Sequence, residues 1–131
     1  MKSIFISALF LLACSSNVEQ ANPCATPGAT YYQHSTELSG NCGSMPDVIV
    51  NINQDGTITF PSNISCATQE QNGCTAHDTD CSFGNGDVSC QESFDTTFAD
   101  DGSSANGLLT LSCDNGSQSC ISTYSISMTR E

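Results

Sequence analysis

Basic residues are almost missing from this chain. Lys2 is the only lysine and Arg130 the only arginine, against 14 acids, for a formal charge of −12. Such a charge argues against binding to nucleic acid or to anionic lipid surfaces, which would repel it. Tryptophan is absent, so the usual platform for stacking on sugars is missing, although Tyr31 and Tyr32 remain. No segment of about ten residues shows a helical apolar period, and amphipathic helices are not expected. The chain also lacks a Gly-x-Ser-x-Gly elbow, a His-Glu-x-x-His pair and a glycine-rich phosphate loop. These absences speak against an enzyme.

What is present points to short strands and tight turns. Thr, Ser, Ile and Val are frequent, and Asp-Gly, Asn-Gly and Gly-Asn pairs recur. Alternation places the strands. Tyr31 to Leu38 predicts a first strand. Val48, Val50 and Ile52 share a face of a second, Gln54-Asp55-Gly56 turns, and Ile58 and Phe60 continue that face. Cys81 shares a face with Phe83. Val88 shares one with Cys90, Phe94 and Phe98, across a turn at Gly84-Asn85-Gly86-Asp87. Leu109, Leu111 and Cys113 alternate on one strand, and Cys120, Tyr124, Ile126 and Met128 on the next. The expected fold is all-β, an antiparallel up-and-down meander forming a small barrel or sandwich.

Cysteine is abundant, with nine in 131 residues. Setting aside Cys14, treated below, an even set remains: Cys24, Cys42, Cys66, Cys74, Cys81, Cys90, Cys113 and Cys120. In a small exported domain this reads as a disulfide framework. Such staples compensate for a lean core, since only seven aromatics lie beyond residue 13 (Tyr31, Tyr32, Phe60, Phe83, Phe94, Phe98, Tyr124). Strand parity favours Cys113–Cys120 and Cys81–Cys90. Cys66–Cys74 would close a short polar loop and leave Cys24–Cys42.

The N-terminus carries one positive charge, an apolar run, and Leu11-Leu12-Ala13-Cys14 at its end. The run is too short to span a bilayer and reads as a secretory signal. Its ending resembles the lipobox of bacterial lipoproteins, with Leu11 three positions before the cysteine and Ala13 next to it. Leu12 departs from the Ala, Ser or Thr that is commoner there. Cleavage after Ser15 by a general signal peptidase is the competing reading. The resemblance implies lipid on Cys14, removal of residues 1–13 and anchorage to a membrane. Ser15, rather than Asp, then implies the outer membrane of a double-membraned bacterium. Residues 14–27 are expected to form a polar tether and 28–131 the disulfide-rich domain. Arg130 would be the only base left, which excludes Schiff-base chemistry and a lysine–asparagine crosslink.

Three constellations offer chemistry. Asn51 to Thr59 resembles the first part of an EF-hand or dockerin calcium loop, with Gly56 at the turn. Asn51 replaces the first Asp, and Ser62 stands where the bidentate Glu belongs. The alternation of Val48, Val50 and Ile52 favours a hairpin instead. Half of the acids lie between Asp78 and Asp101 (Asp78, Asp80, Asp87, Glu92, Asp95, Asp100, Asp101). They read first as a solvated surface, with calcium the alternative. Cys74, His77, Asp78 and Cys81 carry metal-ligand atoms, but oxidised sulfurs make no zinc site. His77 beside Asp78 is half of a hydrolytic triad, with no serine marked out. No resident cofactor is expected. The function read from the sequence is a non-catalytic binding, coating or adhesion role, held to a membrane by lipid. A calcium- or small-ligand-binding β module, and a small hydrolase or protease inhibitor, are the alternatives.

Overall fold

A computed structural model describes residues 21–58 and 65–131. Phe60 and Ser62, invoked above, lie outside the described residues, as do Cys14 and the N-terminal run. The described chain is all-β and contains no helix. It runs β1 (Thr30–Gly40), β2 (Val48–Asn51), β3 (Ser65–Asn72), β4 (Thr75–Asn85), β5 (Val88–Phe98), β6 (Ser104–Asp114) and β7 (Ser119–Arg130).

These strands form one antiparallel sheet in the order β2-β1-β7-β6-β5-β4-β3. Strands β3 to β7 are a meander, and the β1–β2 hairpin is added beside β7. The sheet curls into a half-barrel. Val48, Ile49 and Val50 at one edge line the same cavity as Phe83 and Phe94 on the strands near the other. Because every pairing is antiparallel, the edge strands β2 and β3 run in the same direction. They cannot close the ring by an antiparallel ladder. The chain after β2 turns at Asp55-Gly56, and Ile58 bridges back to Ile52. Two bulges, between Glu37 and Ser39 and between Asp78 and Cys81, add twist to the curl.

The concave face holds the core. Tyr31, Phe98, Leu109, Leu111, Tyr124, Ile126 and Met128 are buried in one cluster. Tyr31 and Phe98 meet edge to face, with centroids 5.4 Å apart. Small residues keep the curl tight. A methyl group on Gly107 would sit 1.9 Å from the Asp95 carbonyl oxygen of the neighbouring strand. Buried hydroxyls are satisfied: Tyr31 donates to the Gly102 carbonyl at 2.5 Å, and Tyr124 to the Gly43 carbonyl at 2.7 Å.

Four disulfides staple the fold: Cys24–Cys74, Cys42–Cys120, Cys66–Cys81 and Cys90–Cys113. They correct the expected pairing. Cys113 and Cys120 are register partners on β6 and β7, yet they do not bond to each other. Cys113 turns to Cys90 on its other neighbour, and Cys120 to Cys42 beyond the end of β1. Nor do Cys81–Cys90, Cys66–Cys74 or Cys24–Cys42 form. A strand residue has a neighbour on each side, and parity fixes the face but not the side. Residues 66–74, expected to be a polar loop, are mostly strand β3, with the turn at Gly73. Part of the expected tether is structured too. Asn22 and Ala25 are buried, because Cys24 is pinned to the β3–β4 turn. Four disulfides suit a location outside the cytoplasm.

Candidate binding cavity

The half-barrel encloses a cavity of about 290 Å³. Its wall is built by alternation, since successive strand residues face opposite sides of the sheet. Phe94, Leu109, Ile126 and Met128 come from the inward positions of β5, β6 and β7. Val48, Val50, Met45 and Ile58 come from the β1–β2 hairpin and the turn after it. Three polar side chains interrupt this apolar surface: Gln33, Thr96 and Glu92.

Glu92 is the informative one. It is half-buried on the concave face, between inward-facing Cys90 and Phe94 on the same strand. Its lateral partners are Cys81 on β4 and Leu111 on β6. Burial in these surroundings pushes its carboxyl above the ordinary range, and the negative charge of Asp78 adds to the push. Asp78 is itself buried, at 5 % exposure, in register with Phe94. A third inward carboxyl, Glu37, is already satisfied. Ser122 Oγ donates to it at 2.5 Å, and the Gly43 amide at 3.3 Å.

The remaining acids of the 78–101 run do not converge. Asp95 faces outward, Asp80 sits on the bulge with φ of 51°, and Asp87 lies in the β4–β5 turn. Asp101 accepts hydrogen bonds from the amide and hydroxyl of Ser103, which hold its carboxyl below the usual range. The Asn51–Thr59 segment is a hairpin turn as far as it is described. Asp55 accepts from the Thr57 amide at 3.0 Å and hydroxyl at 2.7 Å. Gly56 supplies the positive φ. Asp55 is bound to its own loop, and its carboxyl is held low by those contacts. Cys24, Cys74 and Asp100 also lie close together, but the two sulfurs are bonded to each other.

Both histidines lie on the convex face. His77 Nδ1 pairs with Asp95 Oδ1, while Asp78, its sequence neighbour, faces the interior. The bond to Asp95, reinforced by the charges of Asp95, Glu70 and Asp78, raises the imidazole pKa. His34 Nδ1 lies 2.6 Å from Asp47 Oδ1, and the Tyr32 hydroxyl donates to the other Asp47 oxygen. These bonds lower the Asp47 carboxyl pKa, and the one from Tyr32 acts most. Among the described residues no serine or threonine hydroxyl is bonded to either imidazole. Tyr31 is fully buried and only Tyr32 reaches the surface. An open cleft of about 520 Å³ lies at the β6–β7 turn. Its loop groups are spent on each other: Asn115 Oδ1 accepts from the amides of Ser117 and Gln118.

Glu92 as an interior group was available from the sequence. It falls on the parity of Cys90, Phe94 and Phe98, but in a run of acids it reads as solvated. No protein-family model, curated protein or solved structure matches this chain.

Proposed function

We propose that this protein binds a small, mainly apolar ligand in the half-barrel and acts without catalysis. The observation that carries the reading is the cavity bounded by Phe94, Leu109, Ile126 and Met128. Its volume lies at the small end of the range for ligand pockets, which are lined mostly by apolar side chains with a few polar groups to orient the occupant. The disulfides Cys66–Cys81 and Cys90–Cys113 cross the strands beside it and hold the wall in shape without an occupant.

The same proposal places the domain on a membrane surface, outside the cytoplasm, through lipid on Cys14. Two or more acyl chains anchor stably, because each buried methylene contributes about 0.8 kcal/mol. Intact-mass analysis of membrane-extracted protein is expected to begin at Cys14 with acyl mass added. A water-soluble product beginning at Ser16 refutes the anchor and leaves the cavity reading untouched.

Binding is tested by NMR with cyclohexylmethanol, an uncharged and water-soluble probe. Saturable shifts at the methyl groups of Leu109, Ile126 and Met128 support the reading. Absence of any response at those methyls, up to millimolar probe, rejects it.

A further inference from the structure

Gln33, Thr96 and Glu92 interrupt the apolar wall of the cavity, and of these Glu92 alone carries a formal charge. Glu92 accepts no hydrogen bond from any described residue and lines the cavity directly. Asp78 stands behind it on the adjacent strand, in register with Phe94. A carboxylate drawn out of water without a donor is costly, and a second one beside it raises the cost.

Among the described residues no basic side chain faces Glu92. Arg130 is the only lysine or arginine among the described residues, and its guanidinium donates to Thr26 Oγ1 at 2.9 Å. Glu92 pairs with Leu111, which pairs with Ser122 on β7. Arg130 stands eight residues farther along that strand, about 26 Å away at the rise of a strand. His34 and His77 are on the convex face, occupied by Asp47 and Asp95. Glu37, the other carboxyl on the concave face, is held by Ser122 and Gly43 and adds only further negative charge.

Resting on the reading of the half-barrel as a binding cavity, we propose that its ligand is a small amphiphile with one cationic nitrogen. The ammonium group sits against Glu92, with Asp78 behind it, and the apolar body lies against Phe94, Leu109 and Ile126. The nitrogen donates the hydrogen bonds that Glu92 lacks, and its charge offsets the Glu92 carboxylate in a medium of low polarity. The raised pKa of Glu92 fits this picture, because it marks a carboxyl poorly solvated until a cation arrives. The same charges exclude fatty acids and other anionic amphiphiles of equal size.

The test uses three isosteric probes on the purified protein: cyclohexylmethylamine, cyclohexylmethanol and cyclohexanecarboxylate. Affinities are read from titrations of the Leu109, Ile126 and Met128 methyl signals at neutral pH. The amine is expected to bind at least tenfold tighter than the alcohol, and the carboxylate more weakly than either. In Glu92→Gln the advantage of amine over alcohol collapses to within about twofold, and in Asp78→Asn it shrinks by a smaller factor. Native disulfide mapping checks that each variant is folded. If the amine and alcohol bind the wild-type protein alike, the cationic ligand is refuted and the apolar cavity reading stands. If the amine advantage survives in folded Glu92→Gln, the assignment to Glu92 is refuted. If none of the probes binds, both readings fall together. The order of the three probes on the wild-type protein decides the proposal even where a variant does not fold.

Discussion

The two faces of the one curled sheet treat the same kinds of side chain in opposite ways. On the concave face Leu109 is buried, and on the convex face its neighbour Leu108 is 51 % exposed. Carboxyls follow the same division. Glu92, inside, is pushed up by burial, whereas Asp47, Asp55 and Asp101, outside, are drawn down by hydrogen-bond donors. An acid count cannot make this distinction. Position along the strand can, because one residue of shift moves a side chain from oil to water. An acidic stretch that spans strands is therefore two populations of charge, and only the inward one bears on a binding cavity.

Reduction should have the largest effect on this asymmetry. Cys66–Cys81, Cys90–Cys113 and Cys120 all belong to the concave face or its rim. Each bridge contributes about 2–4 kcal/mol, so four together are comparable to the whole stability of an ordinary domain. Reduction of all four is expected to unfold the protein at 25 °C, seen as loss of near-ultraviolet circular dichroism. Retention of a cooperative thermal transition after full reduction would show that the core suffices.

The comparison is sharpened by two leucines adjacent in sequence. Leu109→Ala should cost about 2–5 kcal/mol in urea denaturation, through lost burial and the space left behind. Leu108→Ala should change stability by less than about 0.5 kcal/mol. Similar costs at the two positions would contradict the assignment of faces.

A smaller effect comes from Glu92. Its folded-state pKa is raised, so the native protein binds this proton more tightly than the unfolded chain. Stability from this group therefore falls as pH rises from the ordinary carboxylate range through the raised value, and is level above it. Glu92→Gln should be more stable than the parent at neutral pH, with the difference vanishing under acid conditions. Urea midpoints across that pH range check the sign; a destabilised variant at neutral pH would reverse it.

The smallest effect is expected on the convex face. Asp95→Asn should lower the pKa of His77 in an NMR titration, because its main partner is lost. Stability and probe binding should not change measurably, since an exposed pair is screened by water. Altered probe binding in Asp95→Asn would mean that the two faces communicate.

Much of the architecture was legible in the sequence, for a physical reason. In β6 and β7 one face is apolar and the other rich in Ser and Thr, so Leu109, Leu111, Tyr124, Ile126 and Met128 mark register as well as strand. Even the opposition of Cys113 and Cys120 was readable. Strand β3 was not, because Ser65–Asn72 contains almost no apolar residue and owes its place to pairing with β4 and to Cys66–Cys81. The bridges do not follow from parity, because each strand cysteine has a neighbour on both sides: Cys66–Cys81 and Cys90–Cys113 join register partners on consecutive strands, while Cys42–Cys120 depends on the return of β1 to β7. The cavity was hidden because its wall draws on residues from Gln33 to Met128, and only the folded sheet brings them together.

The disulfide pattern sets a problem for maturation. A ribosome delivers cysteines in order, yet only Cys90–Cys113 joins two that are consecutive among the eight. Cys24 must wait for a partner 50 residues later, and Cys42 for one 78 residues later. Meanwhile Cys113 and Cys120 emerge nearly together and meet across their own hairpin, where a premature bond closes most easily. An oxidant acting on first encounters produces the wrong isomer. Reaching the native set requires thiolates to attack and exchange existing bonds. Oxidative folding in a redox buffer that permits exchange is therefore expected to yield the native set faster than oxidation without exchange.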